Sequence, residues 1–480
     1  MKPFRLLTMA VFAAATVPRL AHRGMFVDGV TYASIARNLA LGLGSFWAPF
    51  YTATIYPQVH EHPPFGFWLQ SLWFRTFGDY LFVERAYSAV VAIATAAVVI
   101  AIWQRLHTDG PSGDGRDAGP VTTGGRQLEW LPVLLWIAVP VVSWAIVGNL
   151  LDTTVALFTT AATLAALQGV GAAAPGRAIA GGALSGLSIV AATLTKGPVG
   201  LFPLVAPLTF FLLPRARRIV ATLAAQWATV ATCAVVLLAF GASRASLTEY
   251  VHQQVLAAMT GQREVSAGSF TILGELLQGV LLPIVGMGAL AMAAARRFVA
   301  PSPFARKNAA CFMLLGLAGT LPILASAKQA GHYLVPAVSF YALAGALVIA
   351  PTVTIVTERY ARSGSRWAEL VSVLVIIATV GAAYAPALGR DRARLANLDV
   401  LAPSIPRSVT VGICPGANSD WGLHAWFQRR FRVSLDAADP GRHDWFVATT
   451  RAGQTCRPGP CTPVTDPTLE IVLLKCVRSD

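Results

Sequence analysis

The chain has 480 residues, 55% of them hydrophobic and only 12% charged, about half the roughly 25% charged share of a soluble globular domain. A soluble enzyme, a disordered tail and a disulfide-stapled miniprotein are therefore excluded as descriptions of the whole chain. The formal charge of +14 is scattered in small groups between apolar runs, which argues against nucleic acid as a partner.

Apolar runs able to cross a hydrocarbon layer of about 30 Å recur at about 6–21, 83–104, 129–148, 152–170, 178–194, 198–214, 219–241, 270–294, 309–326, 333–356 and 369–388. They predict an all-α polytopic membrane domain over 1–388, with about eleven transmembrane helices plus interfacial helices. The first run follows Lys2 and Arg5 like a signal peptide, yet no clear A-x-A cleavage site follows, so it is read as a retained span. Residues 22–82 form a long loop. In it Asp28–Leu41 reads as a helix with Asp28 as N-cap and Gly42 just past its end. Pro63–Phe77, rich in Phe and Trp, reads as a helix lying at the interface. His107–Arg126 is a Gly/Pro/Asp-rich loop, and no internal repeat is evident.

The loops alternate in charge. One set holds Lys2 and Arg5; Arg105, Arg116 and Arg126; Arg177; Arg215, Arg217 and Arg218; Arg296, Arg297, Arg306 and Lys307; and Arg359, Arg362 and Arg366. The opposite set is sparser, and the positive-inside rule puts the first set in the cytoplasm. The N-terminus is then inside and residues after about 388 outside, in the cytoplasmic (inner) membrane of a bacterium whose Ala/Arg/Gly bias points to a GC-rich genome. Residues 389–480 turn polar, and Ser408–Cys414, Asp444–Thr450 and Leu469–Cys476 read as strands with Trp421–Phe431 helical between the first two. A small extracytoplasmic α/β domain is expected. Its cysteines, Cys414, Cys456, Cys461 and Cys476, favour two disulfides with three connectivities open. The expected pairing closes Cys456 to Cys461 around Arg-Pro-Gly-Pro and joins Cys414 to Cys476; a zinc site lacks C-x-x-C spacing.

Charge at span ends carries the functional signal, because burying it in lipid costs a few kcal/mol or more. Asp28 follows the first span, and His60, Glu61 and His62 precede Pro63-Pro64. Asp152 opens the fourth span, Lys196 lies in Thr-Lys-Gly-Pro, His252 and Gln254 lie in the 242–269 loop, and Lys328, His332 and Tyr333 lie between spans nine and ten. Each has a plainer reading. Asp28 caps its helix, the histidines sit at the interface with wet tips, the lysines snorkel, and Asp152 bonds to Asn149. Loop parity nevertheless gathers them on the outer side, where they are expected to surround one cavity.

In combination and order, Asp28-x-x-x-Tyr32, Glu61-His-Pro-Pro-Phe-Gly-Phe-Trp68, Leu-Leu-Asp152, Thr195-Lys196-Gly-Pro and Lys328…His332-Tyr333-Leu-Val-Pro336 are specific. Over residues 1–350 the chain resembles the C-superfamily polyprenyl-phosphate-dependent glycosyltransferases, above all lipid A aminoarabinose transferases and, more distantly, protein O-mannosyltransferases. The resemblance implies that Asp28 is the catalytic carboxylate near the acceptor hydroxyl. Glu61 matches the acid linked to a divalent metal (Zn, Mn or Mg) in the aminoarabinose transferases. His62 replaces a lysine that contacts the donor phosphate. The relatives' metal-linked histidine falls near Gln254, two residues after His252, so the implied metal residues are Glu61 with His60 or His252. Tyr333 matches a phosphate-contacting tyrosine, and Asp152 and Lys196 match polar residues of the same cavity.

The residue types suit that chemistry. Attack on the anomeric carbon of a lipid-linked sugar needs a base for the acceptor hydroxyl and cations for the leaving phosphate. Asp28 is the candidate base, with Glu61 and Asp152 as the other catalytic acids. Lys196, Lys328, His62 and Tyr333 are the candidate phosphate ligands, and a metal would add a Lewis acid. No nucleotide fingerprint is evident and no nucleotide cofactor is expected. The acceptor classes are lipid A, another envelope glycan or a protein. The runner-up function, a flippase or transporter of a lipid-linked sugar, calls for a polar path through the bilayer, whereas these charges gather at one side.

Overall fold

A computed structural model describes residues 2–108, 127–213, 216–260, 268, 270–363, 366–385, 389–439, 442–449 and 460–477. The chain begins with α1 (Lys2–Ala21), passes through α2 (Val27–Ala40) and α3 (Phe65–Phe77), and enters α4 (Val83–Thr108). Two short helices, α5 (Trp130–Ile137) and α6 (Pro140–Val147), meet at 77°. Pro140 opens α6 and Val139 before it is extended, because proline has no N–H to continue a helix and bars the preceding residue from helical geometry. Then come α7 (Leu151–Val170), α8 (Pro175–Lys196), α9 (Ile219–Ala239), α10 (Gly241–Tyr250), α11 (Thr271–Ala295), α12 (Pro303–Thr320), α13 (Val335–Ser363) and α14 (Trp367–Ala383). The tail adds α15 (Arg392–Leu401) and α16 (Trp421–Phe431). Most of the expected loop His107–Arg126 lies outside the described residues.

This is a multi-pass membrane protein. Eight described helical segments are long and apolar enough to cross a membrane: those built on α1, α4, α7, α8, α9, α11, α12 and α13; the bent α5–α6 pair makes a ninth. Two of the eleven apolar runs fall short. The run at 198–214 breaks into single turns because Pro198, Pro203 and Pro207 interrupt it, and α14 has 17 residues. The outward apolar face of α9 (Val220, Trp227, Val235, Leu238) is exposed, as a lipid-facing helix requires.

By their contacts the residues divide into two units. The first comprises residues 1–19, 61–66 and 86–385 and holds the apolar spans. Its core is centred on Trp103, Trp136, Phe312, Phe340 and Tyr341. Hydroxyls pin the helices where apolar packing alone has no register: Thr160 to Ser339 at 3.1 Å and Thr320 to Tyr341 at 2.9 Å.

The second unit comprises residues 20–60, 67–85 and 386–480, so the tail shares it with segments of the first loop. Its sheet has the order β2-β1-β3-β5-β4, from β1 (Thr410–Ile413), β2 (Ser434–Asp436), β3 (Trp445–Thr449), β4 (Cys461–Pro463) and β5 (Ile471–Cys476). β1 is parallel to β2 and β3; β5 is antiparallel to β3 and β4. Alternate residues Val411, Ile413, Val447 and Leu473 join Leu398 of α15 and Trp426, Phe427 and Phe431 of α16 in one core. α2 is tied to α16 by Arg37, whose guanidinium donates to the Gln428 carbonyl at 2.8 Å and pairs with Asp79 at 3.2 Å. Arg429 continues the network to Asp79 at 2.7 Å and Glu84 at 3.0 Å.

Two expectations are corrected here. Asp28 is not the N-cap of α2. Phe26 holds that position with extended backbone, and Asp28 lies inside the first turn. The other end is as expected: Gly42, at φ +79°, donates to Leu39 while Leu43 donates to Asn38, the paired bonds of a glycine-terminated helix. The disulfide at Cys476 runs to Cys461, not Cys414. The β4–β5 register sets Cys461 opposite Cys476 with Cα atoms 4.1 Å apart, and sheet register is not readable from turn residues alone. Cys414 is also disulfide-bonded; Cys456 lies outside the described residues.

Candidate active site

Within the first unit the polar residues meet where α7 begins and α8 ends. Asn149, in left-handed geometry at φ +53°, turns the chain into α7, and Asp152 falls in its first turn. Lys196 is the last residue of α8, which Gly197 closes at φ +77°. Helix dipoles favour an anion at an N-terminus and a cation at a C-terminus, so each side chain sits at the end that suits its charge. They form a buried ion pair, Asp152 fully enclosed and Lys196 nearly so. The Lys196 ammonium also stands 5.1 Å from the centre of the Tyr333 ring, within cation–π range.

The surrounding residues come from four further segments. His332 packs against Tyr333 at 4.5 Å and against Trp144 of α6 at 5.7 Å between ring centres. It lies within electrostatic reach of Asp152, Lys196 and Lys328. The Lys328 backbone is held by the Ser326 hydroxyl at 3.0 and 3.2 Å, and Gln329 accepts from Ile272 N at 3.0 Å, which fastens this loop to α11. Gly66 abuts the heads of both site helices: a Cβ there would stand 2.7 Å from Leu151 and 3.0 Å from Thr195. The half-buried Glu61 and His62 are carried on that same short segment, 61–66. Gly331 similarly leaves room for Glu275, whose carboxylate oxygen would be 2.6 Å from a Cβ.

The structure therefore brings together Asp152, Lys196 and Tyr333, with Lys328 joined through His332. Asp28 and His60 belong to the second unit, both half-buried. His252 is exposed on the π-helical turn Val251–Leu256. Sequence reasoning passed over Trp144 and Glu275 as site residues and gave His332 no role. Glu275 had a signal, being the sole charged residue of the 270–294 run; Trp144 had none.

The Oδ1 atom of Asp152 is buried and without a hydrogen-bond partner, although buried polar atoms are nearly always paired. The pair thus keeps one acceptor oxygen unpartnered and an ammonium with donors beyond the one that Asp152 engages, against an aromatic wall. A metal fits poorly. Among the described residues no group of three or more His, Cys, Asp or Glu stands ready to hold one, so Glu61, His60 and His252 do not make a ligand set and no step is routed through a metal.

No protein-family model and no curated protein sequence matches the chain. Known structures do. ArnT from Cupriavidus metallidurans bound to undecaprenyl phosphate superimposes with a TM-score of 0.64 at 16% identity, over 99% of this chain and 98% of ArnT. The chain has the fold of ArnT. The apo state of ArnT gives 0.56 at 15% identity, over 97% of this chain and 95% of that one. The Archaeoglobus fulgidus oligosaccharyltransferase gives 0.51 at 13%, over 90% of this chain and 64% of that one. The likeness to ArnT runs through the tail as well as the spans, whereas the sequence resemblance reaches only about residue 350. The expected architecture, apolar spans followed by a small α/β tail, is the one found.

Proposed function

We propose that the chain is an integral membrane glycosyltransferase that moves a sugar from a polyprenyl-phosphate donor to an acceptor on the extracytoplasmic side. The observation that carries this reading is the buried Asp152–Lys196 pair under Tyr333, set at helix ends in a fold shared with a protein that binds undecaprenyl phosphate. In the proposed orientation the N-terminus is cytoplasmic and the site opens outward in the bacterial inner membrane.

In the reaction the acceptor hydroxyl gives its proton to the Asp28 carboxylate and its oxygen bonds to the anomeric carbon. The bond from that carbon to the phosphate oxygen breaks, and the electron pair leaves with the polyprenyl phosphate. Lys196 has three donors, one engaged by Asp152, so the others are available to the leaving phosphate; Lys328, His62 and the Tyr333 hydroxyl supplement it. Charge-directed donors fixed before the reaction stabilise the developing negative charge without reorganising. Asp152 orients Lys196, and its unpartnered Oδ1 accepts from a hydroxyl of the bound sugar once the donor enters the site. Glu61 serves as a second carboxylate toward the donor. The acceptor class, lipid A, another envelope glycan or a protein, follows from comparing envelope glycolipids and glycoproteins with and without the gene by mass spectrometry. A transfer assay with purified protein and polyprenyl-phosphate sugar tests the activity itself: transfer that needs the lipid-linked donor supports the reading, and transport of the donor without transfer contradicts it.

A further inference from the structure

Glu275 is the sole charged residue of the apolar segment Thr271–Ala295. A carboxylate inside a span is costly, and such residues mark substrate paths or pair with one another. Glu275 has no such pair: among the described residues it makes no hydrogen bond or ion pair, and it is exposed. It also opens the π-helical stretch Glu275–Leu281 of α11, a wider winding than the α-helix and a frequent companion of functional sites.

Its position ties it to the Lys196 group. Three residues earlier Ile272 N donates to Gln329 at 3.0 Å, which holds the head of α11 against the loop of Lys328. The carboxylate then lies against the turn Gly331–Leu334, which carries His332 and Tyr333. A Cβ on Gly331 would stand 2.6 Å from Glu275 Oε2, and one on Gly279, a turn further along α11, 3.4 Å from it. Glycine at both positions leaves the carboxylate uncovered. Across the turn, His332 is within electrostatic reach of Asp152 and Lys196, and Lys196 faces the Tyr333 ring.

Sorted by hydrogen-bonding type, the groups around that turn divide in two. The ammonium groups of Lys196 and Lys328 are donors only and suit a phosphate. Asp152 Oδ1, buried and unpartnered, and the Glu275 carboxylate are acceptors only, and no donor among the described residues meets either. A carboxylate repels a phosphate, so these acceptors call for the part of the ligand that brings donors. In a lipid-linked sugar that part is the sugar's hydroxyls. We propose that Glu275 is a sugar-binding residue of the donor site, accepting hydrogen bonds from hydroxyls of the donor sugar while Lys196, Lys328 and Tyr333 hold the phosphate. The proposal deepens the proposed function and rests on a lipid-linked sugar being the ligand of this site. The sugar class that follows is a pentose or hexose with free hydroxyls.

The test titrates the full chain in lipid nanodiscs with undecaprenyl phosphate, bare or carrying glucose, mannose or arabinose. At least one sugar should tighten binding over the bare carrier. Glu275→Leu should abolish that gain, a loss of about ten-fold or more, the scale of a hydrogen bond to a charged group. Glu275→Gln keeps one acceptor oxygen and should lose only part of it. Both variants should bind the bare carrier as wild type does, which a merely structural role beside the Tyr333 turn would not allow. Unfolding temperatures equal to wild type establish that the variants fold, and Glu275→Gln serves alone if Glu275→Leu does not. A sugar gain that survives both substitutions overturns the proposal. So does the absence of a gain from any of the three sugars, or an equal loss of the bare carrier. Sugar-dependent binding through Glu275 without transfer contradicts the function and leaves the sugar site standing, whereas transfer with an unchanged donor KM in Glu275→Leu contradicts this proposal alone.

Discussion

At the scale of single residues, the pair formed by Asp152 and Lys196 has a structural role and the proposed chemical one, and the two separate by mutation. Removing one partner of a buried ion pair leaves a charge without compensation and costs about 3–5 kcal/mol, whereas replacing both by apolar groups is often near neutral. Lys196→Met should therefore lower the unfolding temperature sharply in detergent, and Asp152→Leu with Lys196→Met should recover much of the loss. Neither variant should bind the donor like wild type, because the phosphate cation is gone from both. Recovery of donor binding in the double variant would make Lys196 purely structural. His62 gives a second residue-scale expectation. As a phosphate ligand in place of lysine it holds charge only at lower pH, since an ordinary histidine titrates near 6.5 and a bound phosphate raises that value. Binding then weakens as pH rises through the raised value. His62→Lys should keep activity and flatten the profile from about pH 5.5 to 8.5; an inactive lysine variant contradicts this role. The meeting of Asp152 with Lys196 was legible because a charge at the end of an apolar run is conspicuous, and Tyr333 beside them because it stands in a recognisable ordered motif. Glu275 was equally conspicuous but had no motif around it.

At the scale of elements, the local signals were strong and the non-local ones silent. Strand β1, helix α16, and strands β3 and β5 lie where alternation and aromatic content predict, and α16 spans Trp421–Phe431 in both readings. The run at 198–214 misled because hydropathy counts its apolar residues while its prolines deny them a continuous helix. The disulfide misled because pairing depends on β4 and β5 lying side by side. Cys461 and Cys476 are separated by 15 residues, and closing a loop of that size is worth about 3 kcal/mol in the unfolded chain. Replacing both by Ala should lower the unfolding temperature by several degrees. A peptide map under non-reducing conditions should recover the Cys461–Cys476 link; a Cys414–Cys476 link would contradict the register.

At the scale of the whole molecule, loop and tail share a unit through contacts spanning nearly 400 residues, such as Arg37 to Gln428 and Arg23 to Asp399, which no local pattern foretells. Ion pairs make that unit sensitive to acid. Burial alone would raise Asp79, but Arg429 and Arg37 outweigh it and hold the carboxyl below its ordinary value. A depressed carboxylate contributes stability above its unfolded value of about 3.9 and loses it as pH falls through the folded one. The unfolding temperature should thus drop as pH falls below about 4, and Asp79→Asn should be less stable at neutral pH and flatter in acid; an Asp79→Asn profile parallel to wild type contradicts the linkage. The central claim, sugar transfer from a polyprenyl phosphate with Asp28 as base, is tested most directly by one comparison. Purified wild type and Asp28→Asn are given the same polyprenyl-phosphate sugar and membrane-derived acceptor, with donor binding measured in parallel. Loss of a general base costs about 10²–10⁴-fold in rate, so transfer should fall by that much while donor binding is unchanged. Asp28→Asn transferring sugar at the wild-type rate would contradict the account.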